Sequence, residues 1–152
     1  MVAKRIGKRY GGPWYSQYSI RMNFELDVND HFSQITVENV REGHKLWREY
    51  RLVVDVPGYE QRIVTVKLFP NKNKSPRVKV DGPSDSPHRY DDGHLCMWYP
   101  MDLKENRWIF SDGLLHLLVL IQAHLFREAW WREKNEWLGP EKLHNENIEL
   151  TM

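Results

Sequence analysis

The sequence predicts an α+β fold in which an antiparallel β-meander packs against one long C-terminal helix. Two observations support this prediction. Between residues 46 and 80, apolar side chains recur at every second position in short runs, as in strands with one buried face. From about residue 113 to residue 136, apolar residues crowd a helix-like segment. A sheet and a helix that each have an apolar face to bury are expected to share one core.

The composition is that of a single globular domain. The chain has 152 residues, of which 41% are hydrophobic and 28% are charged. We expect a basic tail at residues 1–13, a folded domain at 14–139 and a polar tail at 140–152. A net charge of +1 gives no reason to expect binding to nucleic acid or to a membrane.

Cysteine usage and hydropathy predict a cytoplasmic protein. The N-terminus carries charges but no apolar segment behind them, so no signal peptide is predicted. The longest apolar run, Leu114 to Ile121, is too short to span a bilayer. Cys96 is the one cysteine, so no internal disulfide can form, which fits a reducing compartment.

Strands are predicted first in the N-terminal third. Apolar residues alternate with polar or small ones from Tyr18 to Val28, which predicts a half-buried strand. The segment from Phe32 to Val40 is rich in β-branched residues and predicts a second strand. No helix is expected in this part of the chain.

Three further runs predict the centre of the sheet. They cover Leu46 to Val56, Ile63 to Phe69 and Arg77 to Val80, and each ends at proline or glycine. Short connections between consecutive strands predict antiparallel pairing.

The rest of the domain is predicted as a loop and then a helix. Residues 86–99 lack periodicity, which predicts an ordered loop. Ser111 and Asp112 suit a helix start, and Gly139-Pro140 suits its end, so we expect a helix from Gly113 to Glu136. The predicted shared core consists of Leu52, Val54, Val66, Leu68, Leu118 and Ile121.

Cys96 is the candidate for covalent chemistry. A thiolate readily accepts an acyl group from another thioester, because the exchange is fast and nearly isoenergetic. His88 and His94 are close to it in sequence. As an imidazolium, either could lower the pKa of the thiol, or donate a hydrogen bond to a tetrahedral oxyanion. Because a donor enzyme must reach its sulfur, we expect Cys96 to be accessible at the surface and to be alkylated without denaturant. The alternative for an isolated cysteine is inert core filling.

The segment around Cys96 resembles the ubiquitin-conjugating (E2) enzymes. These carry a His-Pro-Asn tripeptide whose Asn lies eight residues before a catalytic cysteine, which itself follows Gly-x-Ile/Leu. Pro87 and His88 occupy the Pro and Asn positions here, and residues 93–96 read Gly-His-Leu-Cys. A closer similarity is to stand-alone bacterial E2-like proteins, in the motif at 88–100 and in Glu-Trp-Leu-Gly at 136–139. The resemblance covers residues 44–139.

This resemblance implies a UBC-like (E2) fold and an enzyme that carries a ubiquitin-like modifier, or a target's C-terminus, as a thioester on Cys96. It implies transfer to an amine, an E1-like partner and an antiphage role, with a nucleotide-second-messenger synthase as one candidate target. His88 stands where E2 enzymes have Asn and is the expected oxyanion donor. The possible supporting residues are Tyr90 as a brace, Asp91 and Asp92 as turn residues or lysine-orienting groups, and His94.

Two departures from the E2 pattern are expected to show in the structure. Residues 101–107 are an insertion between the cysteine and the next tryptophan, which predicts a bulging loop. The N-terminal helix that opens an E2 enzyme is expected to be missing, since residues 13–44 are predicted as strands. Docking of an E1-like partner through such a helix is therefore not expected.

Three alternatives remain open at this point. The chain could be a catalytically silent E2-fold binding module, although such variants usually lose the cysteine. It could be a nucleic-acid-binding β-protein that uses its basic tail and aromatic residues. A zinc site would need ligands from His88, His94, Cys96 and His116, but the chain lacks the paired spacings of zinc motifs. No cofactor and no metal is predicted.

Overall fold

The computed structural model describes residues 12–98 and 102–139. Its centre is a four-stranded antiparallel sheet in the order β1-β2-β3-β4, which confirms the predicted meander. The strands are β1 (Thr36–Glu42), β2 (Lys45–Val54), β3 (Arg62–Leu68) and β4 (Arg77–Val80). Their boundaries lie within a few residues of the predicted central strands, and those of β4 coincide with the prediction.

Within residues 12–98 and 102–139, three α-helices accompany the sheet. They are α1 (Tyr18–Phe24), α2 (Val28–His31) and the long α3 (Gly113–Lys134). Short 3-10 turns lie before α1 at Trp14–Ser16 and before α3 at Lys104–Asn106 and Phe110–Asp112. The long helix begins at the predicted residue and ends two residues early. Asp112 does not cap it, because its Oδ2 accepts a hydrogen bond from the N–H of Ile109 (2.9 Å) and closes the preceding turn instead.

One hydrophobic core joins the sheet to α3. Strand residues at alternate positions point into it, because successive side chains of a strand lie on opposite faces. The predicted core is confirmed, since none of its members is more than 3% exposed; they are Leu52, Val54, Val66, Leu68, Leu118 and Ile121.

The strand predicted from Tyr18 to Val28 is wrong, because these residues form α1 and α2. When apolar residues occur at every second position, they can also be divided into two sets whose members are four residues apart. A spacing of four places residues on one face of a helix. In one set Phe24 and Val28 are buried at 3% exposure, and in the other Tyr18 and Met22 are exposed. The expectation that the N-terminal helix is missing is therefore also wrong.

Aromatic packing explains why this segment is helical. The ring of Phe24 stacks on Phe110 with a centroid separation of 4.5 Å, and Trp14 packs against both rings. The indole N–H of Trp14 also donates to the carbonyl of Phe69 at 2.8 Å. The helix brings Phe24 onto this cluster at the start of α3, so tertiary packing overrides the local pattern.

The second N-terminal strand begins later than predicted. Phe32 ends α2 and is 8% exposed, and Gln34 has a left-handed backbone (φ 57°) before β1 starts at Thr36. The predicted tails lie outside the described residues, apart from Gly12 and Pro13. Within the described ranges, no helix is long and apolar enough to cross a membrane.

Candidate active site

Cys96 is held by a tight backbone hairpin that the sequence predicts only as a loop. The N–H of Tyr90 donates to the carbonyl of His94 (2.8 Å), and the N–H of Cys96 donates to the carbonyl of His88 (3.0 Å). Gly93 closes the turn with φ 88°, a conformation that favours glycine. The N–H of Leu95 donates to the carbonyl of Val78 at 3.0 Å, which fixes the hairpin on the edge of β4.

A buried ion pair anchors the same hairpin to α3. The Arg89 guanidinium donates to both carboxylate oxygens of Glu128, at 2.6 and 2.8 Å, and the two side chains are 4% and 1% exposed. Arg89 also donates to the carbonyl of Gly93 at 2.7 Å. Burial alone would raise the pKa of Glu128, but the hydrogen bonds from Arg89 and the interaction with the nearby His124 outweigh it and lower that pKa to about 2. Sequence reasoning missed this pair, because 39 residues separate its members.

Cys96 is buried, at 1% exposure. The expectation of a surface-accessible thiol is therefore wrong, because the hairpin packs inward and its aromatic neighbour Trp98 is itself only 7% exposed. Burial raises the pKa of the Cys96 thiol, a hydrogen bond with the side chain of Tyr90 opposes that rise, and the charge of Asp102 adds to it. Two side chains therefore influence the thiol in opposite directions: Tyr90 lowers its pKa and Asp102 raises it.

Asp102 is a residue that sequence reasoning missed. It falls within the predicted bulging loop at 101–107, where the described part includes the 3-10 turn Lys104–Asn106. Its charge acts on Cys96, although nothing in the sequence marks one loop carboxylate above another. Tyr90, predicted as a brace, lies at the thiol as well.

Burial predicts slow modification of the native thiol. We expect iodoacetamide to alkylate Cys96 at least about tenfold more slowly in the native protein than in urea, because the thiolate is both covered and disfavoured. Mass spectrometry of the intact protein over time measures both rates. Equal native and unfolded rates would show that Cys96 is exposed in solution.

The backbone of His88 is hydrogen-bonded to that of Cys96, but the His88 ring lies in a buried aromatic cluster. The ring is 4.2 Å from that of Trp137 and 6.4 Å from that of His124, between centroids, and His88 is 2% exposed. His124 is also buried, and burial lowers its pKa, while Glu128, 3.5 Å from its Nε2, has the opposite effect. The expected role of His88 as an oxyanion donor stays a prediction.

The turn of the hairpin is stabilised by Asp92. Its Oδ1 accepts a hydrogen bond from the N–H of His94 (3.1 Å) and lies 2.9 Å from the Nδ1 atom of the same residue. Arg77 of β4 pairs with the other oxygen of this carboxylate. The backbone hydrogen bond from His94 is the main cause that lowers the pKa of Asp92 to about 2. Asp91 is exposed at the tip of the turn.

The described residues do not bring the candidate zinc ligands together. His116 is exposed on α3, whereas His88 lies in the aromatic cluster and His94 at Arg77. Within 12–98 and 102–139, no group of three or more His, Cys, Asp or Glu side chains could hold a metal ion.

Comparison with known proteins identifies a family for this chain. The model of one protein family, described as type II CBASS E2 protein, matches residues 19–145, which is most of the chain. No curated protein and no solved structure matches. The family is a bacterial E2-like family in antiphage systems, so the predicted resemblance is confirmed. The chain belongs to the type II CBASS E2 protein family.

Proposed function

We propose that this protein is an E2-like conjugating enzyme with the E2 fold, acting in the bacterial cytoplasm. It accepts the C-terminus of a ubiquitin-like modifier, or of a target protein, as a thioester on Cys96, and transfers it to an amine. The observation that carries this proposal is the placement of the one cysteine. It closes a hairpin fixed on β4 and on α3, in interaction with Tyr90 and Asp102.

The chemistry uses these groups in two exchanges. In the first, the Cys96 thiolate attacks the carbonyl carbon of a donor thioester, the donor thiolate leaves, and the acyl group is retained. In the second, an amine attacks that carbonyl and the Cys96 thiolate leaves. The Asp102 carboxylate attracts the incoming ammonium and accepts its proton, while the Tyr90 hydroxyl stabilises the departing thiolate by its hydrogen bond.

An opening step belongs to this proposal. A thiol that is 1% exposed cannot reach a donor enzyme, so the groups covering Cys96 must move before the first exchange. We assign this opening to the docking of the partner protein. Docking stabilises the open form only if the partner binds it more tightly than the closed form.

The N-terminal helices offer a surface for an E1-like partner. Tyr18 and Met22 lie one turn apart on α1 and are 68% and 48% exposed, and Leu26 after it is 61% exposed. Exposed aromatic and methionine side chains are typical of protein interfaces. We therefore place the E1-like partner on α1.

A second candidate function is favoured by the same burial. A silent E2-fold binding module has no need of an accessible thiol, and both the burial and the raised pKa of Cys96 suit that role. The two functions differ in one property, which is whether an acyl group is ever carried on Cys96.

The test is adduct formation. With its E1-like partner, the modifier and ATP, we expect the wild-type protein to form an adduct that thiol reagents remove, detected by non-reducing electrophoresis. Cys96→Ala should form none, and Cys96→Ser should form a thiol-resistant oxyester, since an ester resists exchange. A normal adduct on the Cys96→Ala protein would overturn the proposal. No adduct on the wild-type protein, with the partner shown to be active, would favour the silent module.

Two variants separate the candidate donors within this test. If His88 stabilises the oxyanion, His88→Ala should charge normally and transfer about 10²–10³-fold more slowly. If its ring only supports the hairpin, charging and transfer should fall together. Tyr90→Phe keeps the ring and removes the hydroxyl, so its effect on charging measures the hydrogen bond to Cys96 directly.

A further inference from the structure

A basic pocket lies on the outer face of the sheet, away from the core. Its volume is about 740 Å³, and it lies between the β1–β2 hairpin, the end of β3, the loop before β4 and the Cys96 hairpin. Its charged and titratable lining includes Lys45, Lys67, Lys74, Arg77 and His94, with Glu42 at one side. Lys67 and Arg77 are direct partners across the β3–β4 ladder, which places both side chains on this outer face.

Aromatic rings hold two of these cations. The ammonium of Lys67 is 4.5 Å from the ring centroid of Trp47, and that of Lys74 is 4.2 Å from that of Phe69. Such contacts orient a cation but leave its positive charge uncompensated. Among the described residues, no carboxylate oxygen lies within 4.0 Å of the ammonium groups of Lys45, Lys67 and Lys74. The pocket therefore presents a cluster of pre-oriented positive charges.

The surroundings favour a short acidic peptide over a nucleic acid. Glu42, Glu49 and Asp92 lie among the cations, so carboxylates interrupt the continuous positive surface that an extended polyphosphate would need. Trp47 is only 8% exposed and Lys67 covers its ring, so that ring offers no open face for base stacking. The carboxylate side chains of an acidic peptide can be bound by the lysine ammonium groups alone, and these have no carboxylate partner among the described residues.

The pocket is connected to Cys96 through His94. His94 lines the pocket and lies two residues before the cysteine, so their Cα atoms are at most about 7 Å apart. Arg77, on the opposite wall, pairs with Asp92 in the turn of the same hairpin. A chain bound in the pocket would thus lie beside the segment that carries the thiol.

We propose that this pocket binds an acidic segment of the protein whose C-terminus is carried on Cys96, a few residues before that terminus. The inference rests on the proposed function and names the recognition chemistry of its acyl donor. It assigns the pocket the task of selecting a donor by charge and holding it near the thiol. Electrostatic selection of this kind also raises the rate of association at low salt.

The test measures binding of a synthetic peptide. The probe is fluorescein-labelled Gly-Ser-Glu-Asp-Glu-Asp-Gly-Ser, with Gly-Ser-Gln-Asn-Gln-Asn-Gly-Ser as the neutral control and labelled oligothymidylate as the nucleic-acid control. Fluorescence anisotropy with the Cys96→Ser protein keeps thiol chemistry out of the measurement. We expect the acidic peptide to bind, the neutral one not to bind, and affinity to fall as salt rises.

A pair of matched variants locates the site. Lys67→Gln/Lys74→Gln should weaken binding of the acidic peptide about five- to tenfold, as expected for the loss of two partly screened ion pairs. Lys104→Gln/Lys134→Gln makes the same change of net charge elsewhere and should leave binding unchanged. If removal of Lys67 disturbs the fold, as circular dichroism would show, Lys45→Gln/Lys74→Gln changes only exposed positions and should give a similar loss.

Three outcomes would overturn the inference: equal binding of the neutral peptide, equal loss in both lysine variants, or preference for oligothymidylate. Peptide binding and adduct formation are measured separately, so failure of the inference and failure of the proposed function give different results. Peptide binding without any adduct on Cys96 would support acidic-peptide binding by the pocket and contradict the proposed enzyme. An adduct without selectivity for the acidic peptide would support the enzyme and contradict the role of the pocket.

Discussion

Glu128→Ala is expected to lower the free energy of unfolding by about 3–5 kcal/mol. The substitution leaves the Arg89 guanidinium, whose side chain is 4% exposed, without the carboxylate that accepts two of its hydrogen bonds. An uncompensated charge in a buried site is strongly unfavourable, and a cavity on α3 adds to the loss. Urea denaturation followed by circular dichroism measures the change.

Glu133→Ala is the matched control, because it removes the same carboxylate from an exposed position of the same helix. Its partner is Lys134 at 3.4 Å, and both side chains are about half exposed (53% and 52%). We expect a change of less than about 0.5 kcal/mol for this variant. A similarly small change in Glu128→Ala would mean that water or a neighbour compensates Arg89.

The dependence of stability on pH tests the same pair. Glu128 has a folded pKa of about 2, below its usual value of 4.5, so its contribution is present above pH 4.5 and is lost as the pH falls towards 2. Stability should also fall because of His124 as the pH drops below about 6.5. Burial lowers the pKa of His124 in the folded protein, so the unfolded chain binds the proton more readily. Glu128→Gln should remove the more acidic part of this loss and enlarge the part due to His124, because the Glu128 carboxylate opposes the lowering of the His124 pKa.

Leu118→Ala is expected to lower the free energy of unfolding by about 2–5 kcal/mol. Leu118 is 0% exposed on the face of α3 that covers the sheet, so the substitution removes apolar contacts and leaves a cavity. Thermal or urea denaturation checks this value in a two-state transition.

The neighbouring Val119 provides the control for helix propensity. It is 47% exposed on the same helix, so Val119→Ala loses little burial and gains a better helix former. We expect its effect to stay within about 0.5 kcal/mol. A loss below about 0.5 kcal/mol for Leu118→Ala would show that α3 does not pack on the sheet.

The sequence predicted elements correctly where the apolar pattern fits either a strand or a helix but not both. β3 and β4 alternate over short runs bounded by proline or glycine, and α3 carries too many apolar residues for an exposed segment, so both types of element were predicted. The N-terminal segment was ambiguous, because apolar residues at every second position also satisfy a spacing of four. Packing of Phe24 favours the helix, because in the helical segment its ring contacts Trp14 and Phe110.

By itself, the sequence determined the α+β class, the central strands, the long helix, the buried core and the family, because these depend on local periodicity and on a contiguous motif around Cys96. Only the tertiary structure decided that Cys96 is buried, that Asp102 acts on it, that Glu128 holds Arg89, and that lysines from separate strands and loops surround one pocket. Each of these depends on residues far apart in the chain. Their separations in space follow from how the sheet, the hairpin and α3 pack together, and no local pattern encodes such distances.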